Sequence, residues 1–489
     1  MRPRFIQHAL RVINVEIVCA RVRLEKKVAD LDVMLGDPRR AIRSMIAAFF
    51  LALAVVQVNQ FVDTFWVSGL GAEASSAVAT AIPIYGLLMC AGLGIGTGVT
   101  AGIAFHLGGG DPRRADRVAG SALVLAVLFA AVGSIIAALL SGPAIELMGA
   151  GDVMDDCMQY LVPYIVLSPI LLCETVIGSA LRGEGAAKKA MIVQASAAVF
   201  NMAIDPILIY GLGLGVFGAG LATCVAAFLS MAIGLWWYLT GRTIVKLNRD
   251  AFVRDRQAVD DVMGIGGPKT IQTVISNATD LIQRVFIIAA GGTNAVMYYN
   301  YAWRYIELVN LPGRSYENAM IPVCSAGYGQ EDYRKMGEGF AYATKMVILF
   351  GIAFTAFILI FAEPLMVIMT YEESMAALRP EFVWTLRVSA LLIPFSALMG
   401  IGSSMLQVMR RARLSMNFYF AWGFAKLALY AISAYIFDSF EGIIYSMVAI
   451  HVIGGVLLMW MGRREYRRIE DEEAGSAARW MHAPHPRRI

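Results

Sequence analysis

From Ser44 onward the chain alternates between long apolar runs and short polar breaks, with runs at roughly 44–68, 78–106, 118–141, 157–180, 187–211 and 217–240. Six more follow near 262–290, 295–327, 339–362, 382–405, 413–437 and 441–462. Each is long enough to cross a hydrocarbon layer as a helix. A charged stretch, GRTIVKLNRDAFVRDRQAVDD, lies between the sixth and the seventh. The pattern therefore predicts an all-α polytopic membrane protein with twelve transmembrane helices in two sets of six. Its parts are an N-terminal segment 1–43, a first lobe 44–240, a connector 241–261, a second lobe 262–462 and a tail 463–489. Composition agrees: 58% of residues are hydrophobic and 16% charged, and the mean hydropathy is +0.63, a balance foreign to soluble globular chains.

Charge sets the orientation. The loops after even-numbered helices carry Arg113, Arg114 and Arg117; Lys188 and Lys189; Arg242, Lys246, Arg249, Arg254 and Arg256; Arg334 and Lys335; and Arg410, Arg411 and Arg413. Those after odd-numbered helices carry acids instead (Glu73, Asp152, Asp155, Asp156, Glu372, Glu373), with Arg379 the exception. The positive-inside rule puts both termini in the cytoplasm of a cell-membrane protein, and Arg39, Arg40, Arg43, Arg463, Arg464, Arg467 and Arg468 agree. Residues 1–33 lack the h-region and cleavage site of a signal peptide. They read either as an amphipathic surface helix or as a mis-assigned start, with Met34 opening a short cytoplasmic lead-in. The six cysteines are scattered without Cys-x-x-Cys or histidine partners, and fit buried small hydrophobes better than metal ligands.

The halves repeat. At an offset of 221, Gly71 matches Gly292, Gly108 matches Gly329, Asp111 matches Asp332, Arg113 matches Arg334 and Arg114 matches Lys335; near 224, Gly178 and Ser179 match Gly402 and Ser403. Six helices separate the copies, so both lobes share one orientation, and the cleft between them is the expected binding site.

The polar residues inside apolar runs carry the chemistry. Asn201 and Asp205 are spaced i, i+4 and share a helix face. Pro206 has no N–H to offer the Met202 carbonyl, which is then free for a cation or water. Asp63, Asp205 and Thr223 each lie a few residues from the outer end of their helices. At 1.5 Å per residue that is a common depth on the order of 10 Å, with Asn201 one turn deeper. Two carboxylates, an amide and a hydroxyl form an all-oxygen set suited to a shared proton or to Na⁺. The bland alternative is that an intramembrane Asp caps a broken helix or bonds a neighbour. In the second half the positions matching this cluster hold Arg284 and Lys426. Its charges are expected to pair as Asp280 with Arg284, Arg304 with Glu307 and Arg314 with Glu317, either stabilising helix 8 or facing a substrate cavity formed by Asp280, Arg284, Arg304 and Glu307. Glu174 and Arg182, at the cytoplasmic end of helix 4, read as structural. His106 and His451 read as interfacial, and the Tyr-Tyr-Asn-Tyr run at 298–301 suits an adaptable cavity.

The stretches VDTFWVSGLG (62–71), HLGGGDPRRADR (106–117), ALRGEGAAKKAM (180–191) and NMAIDPILIYGLGLGVFGAGLAT (201–223), with echoes at GYGQEDYRK (327–335) and GSSMLQVMRRAR (402–413), resemble the multidrug and toxic compound extrusion (MATE) transporters over about residues 36–462. The resemblance implies two six-helix lobes around a V-shaped cavity, and export of cationic or amphipathic organic compounds in exchange for H⁺ or Na⁺. The first-half motif resembles the DinF-like and archaeal branch, which implies a coupling ion on Asp63, Asn201, Asp205 and Thr223. A proline early in helix 1, frequent in the family, is missing: Ala47 stands opposite Pro268 of the second half. No cofactor beyond the coupling ion, no nucleic acid and no enzymatic dyad is expected. Lipid surrounds the chain, and nothing in it demands more than a monomer. A flippase of the same superfamily is the alternative, kept alive by Arg284, Arg304, Arg314 and Lys426, which could meet a pyrophosphate. A major facilitator would carry a different loop between helices 2 and 3.

Overall fold

The computed structural model describes residues 29–148, 150–370, 375 and 377–481. The expectations for residues 1–28 and the charges of Glu372 and Glu373 lie outside the described residues. The first lobe comprises α1 (Pro38–Ser68), α2 (Ala72–Gly108), α3 (Pro112–Leu147), α4 (Met154–Gly183), α5 (Ala187–Pro206) and α6 (Gly215–Leu239). The second comprises α7 (Arg256–Val309), α8 (Leu311–Gly329), α9 (Tyr333–Met369), α10 (Arg379–Ala390), α11 (Ile393–Val408), α12 (Ala412–Tyr435) and α13 (Phe440–Met481). α7 breaks at Gly292, where φ is 67° and ψ is −165°. Its limbs 256–291 and 293–309 are separate crossings, the second continuing into α8. α10 and α11 together make one crossing interrupted at Leu391 and Leu392. The crossings number six per lobe.

Among the described residues nine helices are long and apolar enough to span a membrane. The crossings that fall short are 256–291, 293–329 and α12. These carry Asp280 and Arg284, Arg304 through Glu317, and Lys426, so polarity is concentrated on the walls of the second lobe.

The repeated loop motif has a local cause. Asp111 caps α3, its carboxylate accepting from Arg114 N at 3.1 Å, and Asp332 caps α9 in the same way from Lys335 N at 2.9 Å. Each cap follows a left-handed residue, Gly110 (φ 76°) or Glu331 (φ 57°), that turns the chain out of the preceding helix. The connector is docked rather than loose. Glu184 accepts from Ile244 N and Val245 N at 2.8 and 3.0 Å, and Asp116 accepts from Lys246 N at 2.7 Å. Asp255 caps α7 and pairs with Arg117 at 3.1 Å. Burial works against that carboxylate, but the backbone N–H of Ala258 and the Arg117 guanidinium outweigh it and hold it below the usual range.

Packing explains the V shape. On the side of the basic loops, apolar clusters cross between lobes. Ile42, Met45 and Phe49 of α1 pack with Met320, Val323 and Met336, while Ala258 and Val262 of α7 pack with α2, α3 and α4. On the opposite side each cluster stays within one lobe, around Tyr164 and Ile209 in the first and around Phe382 and Tyr430 in the second. Residues 29–35 are helical, and Met34 is fully buried in the crossing cluster. Tyr298 and Tyr299 belong to the private core of the second lobe. This corrects the expectation that they line a cavity: their rings pack inward against Phe382 and Trp303.

Candidate functional site

The first lobe brings Asp63, Asn201, Asp205 and Thr223 to one point. α5 ends at Pro206, and the chain continues as a π-helical turn, Ile207–Gly211. Pro206 has no N–H to offer the preceding turn, the π turn closes beyond it with Leu212 N donating to Ile207 O at 2.8 Å, and Asn201 faces α1 and α6 through Asn59 and Thr223. Asn201 Nδ2 donates to Asp205 Oδ1 at 3.0 Å and lies 3.3 Å from Thr223 Oγ1. Asp63 lies close enough to Asp205 for the two carboxyls to interact electrostatically. Asp205 is 0% exposed, yet Asp205 Oδ2 and Asp63 Oδ1 are buried without a protein donor. Two neighbouring ionised carboxylates repel, and a shared proton or a bound cation relieves that repulsion.

Sequence reasoning missed Asn59 and a cluster of three tyrosines, Tyr85, Tyr160 and Tyr164. Asn59 Nδ2 donates to Asn201 Oδ1 at 2.9 Å, fixing the amide so that its NH₂ points at Asp205. Tyr164 donates to Thr223 at 3.1 Å and lies 3.0 Å from the Tyr160 hydroxyl, and Tyr85 packs on Tyr164 with centroids 4.3 Å apart. Asn59 stands one turn before Asp63 and Tyr160 one turn before Tyr164, so i, i+4 spacing was the available signal.

In the second lobe the pairing differs from expectation. Asp280 bonds Lys426 of α12 at 2.5 Å, not Arg284. Among the described residues no ion pair joins Arg304 to Glu307 or Arg314 to Glu317. Arg304 instead lies over the ring of Phe61 at 4.6 Å, across the cleft, and Glu317 accepts from Ser404 at 2.9 Å. Helical spacing permitted those pairs, but Asp280, Arg304 and Glu317 meet partners on neighbouring helices instead.

Two cavities adjoin at Lys269, Arg314 and Glu317, the first lined by both lobes and the second by the second lobe alone. One of about 390 Å³ is bordered by Leu93, Thr97 and Arg182 from the first lobe and Lys269, Arg314 and Glu317 from the second. The other, about 270 Å³, shares Lys269, Arg314 and Glu317 and adds Trp303, Tyr419 and His451. Asp280, Arg284, Arg304 and Glu307 line neither. Arg182, read from sequence as structural, faces the first of these cavities, because α4 carries it to the interface rather than to the outer surface.

On the basic side the cavities are sealed. Gly94 and Gly98 of α2 press so closely on Gly266, Thr270 and Val262 of α7 that a Cβ has no room. Gly108 meets Ala326, and Gly329 meets Phe105, as symmetric copies at the repeat offset. His106 is not interfacial but buried, with Nε2 at 2.7 Å from Asp261, whose other oxygen takes Arg410 at 2.6 Å. Arg410 also covers the Phe105 ring at 4.1 Å. His451 is buried too, bonding Met447 O at 2.7 Å.

Two repeated six-helix lobes around a central cavity, with a buried carboxyl cluster, define a multi-pass membrane transporter rather than an enzyme. The MatE family model matches residues 48–207 and 268–429, and the chain belongs to that family. An FAD transporter of Shewanella oneidensis is 21% identical over 333 residues, 67% of this chain and 73% of that protein. The multidrug export protein MepA of Staphylococcus aureus is 22% identical over 237 residues, 48% of this chain and 52% of its own length, so the chain spans about half of that relative. Among solved structures, MATE in complex with MaL6 superposes with a TM-score of 0.85 at 25% identity, covering 90% of this chain and 99% of that one. A MOP superfamily transporter from Pyrococcus furiosus, for which reverse polarity of the binding pocket suggests a different function, gives the same score and identity over 90% and 98%.

Proposed function

We propose that the protein exports amphipathic organic compounds across the cell membrane by alternating access, driven by inward movement of H⁺ or Na⁺. The observation that carries this reading is that Asp63 and Asp205 each bury a carboxyl oxygen that lacks a protein donor. A proton or Na⁺ from the far side satisfies them, aided by the Asn201 amide and the Thr223 hydroxyl. Releasing that ion restores the repulsion. The site lies between α1, α5 and α6, so occupancy alters how these helices pack. The chain acts as a monomer with both termini and the basic loops in the cytoplasm. The seal around Gly98 and Asp261 then closes the cytoplasmic side, and the exposed Arg284 and Arg304 face a wet cleft open to the outside.

The test is efflux of fluorescent amphipathic compounds of either charge, ethidium and flavin mononucleotide in turn, from proteoliposomes under imposed pH and Na⁺ gradients applied separately. The wild type should respond to one gradient, and Asp205→Asn should lose at least tenfold of that response while eluting as a folded protein. Undiminished gradient-driven flux in Asp205→Asn rejects the site. The cationic cavity wall of Arg182, Lys269 and Arg314 favours one second reading, a flippase for a pyrophosphate-linked lipid. Flux of such a lipid without any gradient response would select it.

A further inference from the structure

We infer that the central cavity binds organic anions, in particular aromatic compounds bearing a phosphate or carboxylate, rather than the organic cations expected from the sequence. This rests on reading that cavity as the transport site. Three fixed positive charges, Arg182, Lys269 and Arg314, border the larger cavity against one carboxylate, Glu317. Lys269 and Arg314 have no carboxylate within ion-pair distance among the described residues, and both border the smaller cavity as well. Arg182 donates to Ser179 Oγ at 2.5 Å and senses Glu174 through space without a direct pair. Glu174 is itself engaged by Ser230 at 3.3 Å. Glu317 is tied to Ser404.

A cation inside a bilayer-spanning protein is costly unless an anion or water meets it, whether half-buried like Lys269 or exposed to the cavity like Arg314. At two other interior points the cations are matched: Lys426 has Asp280, and Arg410 shares Asp261 with His106. The unmatched pair at Lys269 and Arg314 stands out against that background. A guanidinium and an ammonium together suit a phosphate or carboxylate, the former by its planar fork and the latter as a point charge. Beyond them the second lobe supplies Trp303 and Tyr419, flat apolar faces for an aromatic ring. Charge at one end and aromatic surface at the other make a site for an amphipathic anion, and the larger cavity alone is already in the size range of drug-sized ligands.

The experiment compares two probes with one ring system, riboflavin and flavin mononucleotide, by equilibrium dialysis against the full chain in lipid nanodiscs. Flavin mononucleotide should bind at least about tenfold more tightly than riboflavin, and the preference should shrink with added salt. Lys269→Gln and Arg314→Gln should each reduce the ratio of the two affinities about tenfold, and Glu317→Gln should raise it. Equal or tighter riboflavin binding, absence of saturable flavin binding to monodisperse protein, or a ratio unmoved in both Lys269→Gln and Arg314→Gln overturns the inference. Binding is read without a gradient, so failure of ion-coupled flux would reject the transport mechanism and leave the anion site standing.

Discussion

The lobes fill one structural position with opposite chemistry. Asn59 and Asn201 meet through a neutral hydrogen bond; their counterparts, 221 and 225 residues on, are Asp280 and Lys426, which form an ion pair. The pair is asymmetric in burial: the Lys426 side chain is 3% exposed and that of Asp280 is 55% exposed. Lys426 also lies over the rings of Trp422 and Tyr430, at 5.3 and 5.8 Å. Removing the acid therefore strands a buried ammonium, whereas removing the lysine leaves a carboxylate already in water. Asp280→Ala should destabilise by about 3–5 kcal/mol, and Lys426→Met by about 1 kcal/mol or less. Thermal melting in one detergent checks the order; the reverse order would show that the lysine does not need its acid to stay buried.

At the scale of helices, periodicity and length made the twelve crossings legible, and the depth comparison brought Asp63, Asp205 and Thr223 to one level, with Asn201 a turn deeper. What the chain did not disclose is which neighbour each helix faces. Asp280 could equally have met Arg284 on its own helix; the rotation of α12 decided otherwise, and rotation is a tertiary property that a single sequence does not encode locally. The same limit hid the role of Gly94 and Gly98. In a membrane helix glycine is common filler, and only the approach of α7 shows that these two positions set the distance between lobes. Gly98→Ala should therefore wedge the lobes apart while leaving each lobe folded. Spin labels at the exposed, repeat-related Arg113 and Arg334 would report it as a mean distance several Å longer than in the parent, with a broader distribution. An unchanged distance would mean that α2 tilts within its own lobe to absorb the methyl group.

For the whole molecule, the question is what holds the basic side shut while the far side has no shared core. Apolar packing supplies most of the contact, but it is not directional. The Asp261 carboxylate adds direction, because it joins His106 of the first lobe to Arg410 of the second. Arg410 reaches it from a left-handed backbone conformation, φ 59°, whereas the corresponding turn of the first lobe uses Gly185 at φ 79°. A bulky residue there costs roughly 1 kcal/mol that glycine would not, so the guanidinium is retained at the expense of its own turn. Arg410→Gly separates the two effects: the turn relaxes, and the bridge between lobes is lost. The cavity-lining position Thr97→Cys, read with a membrane-impermeant maleimide, then reports the side from which the cavity opens. In the parent background, labelling should be fast from the outside and slow from the cytoplasmic side of inverted vesicles. Adding Arg410→Gly should speed cytoplasmic labelling about tenfold, the shift expected from losing roughly 1.4 kcal/mol of closed-state stability. If the rate stays at the parent value, the glycine contacts between α2 and α7 alone keep the gate closed, and Asp261 serves only to fix the ends of its helices.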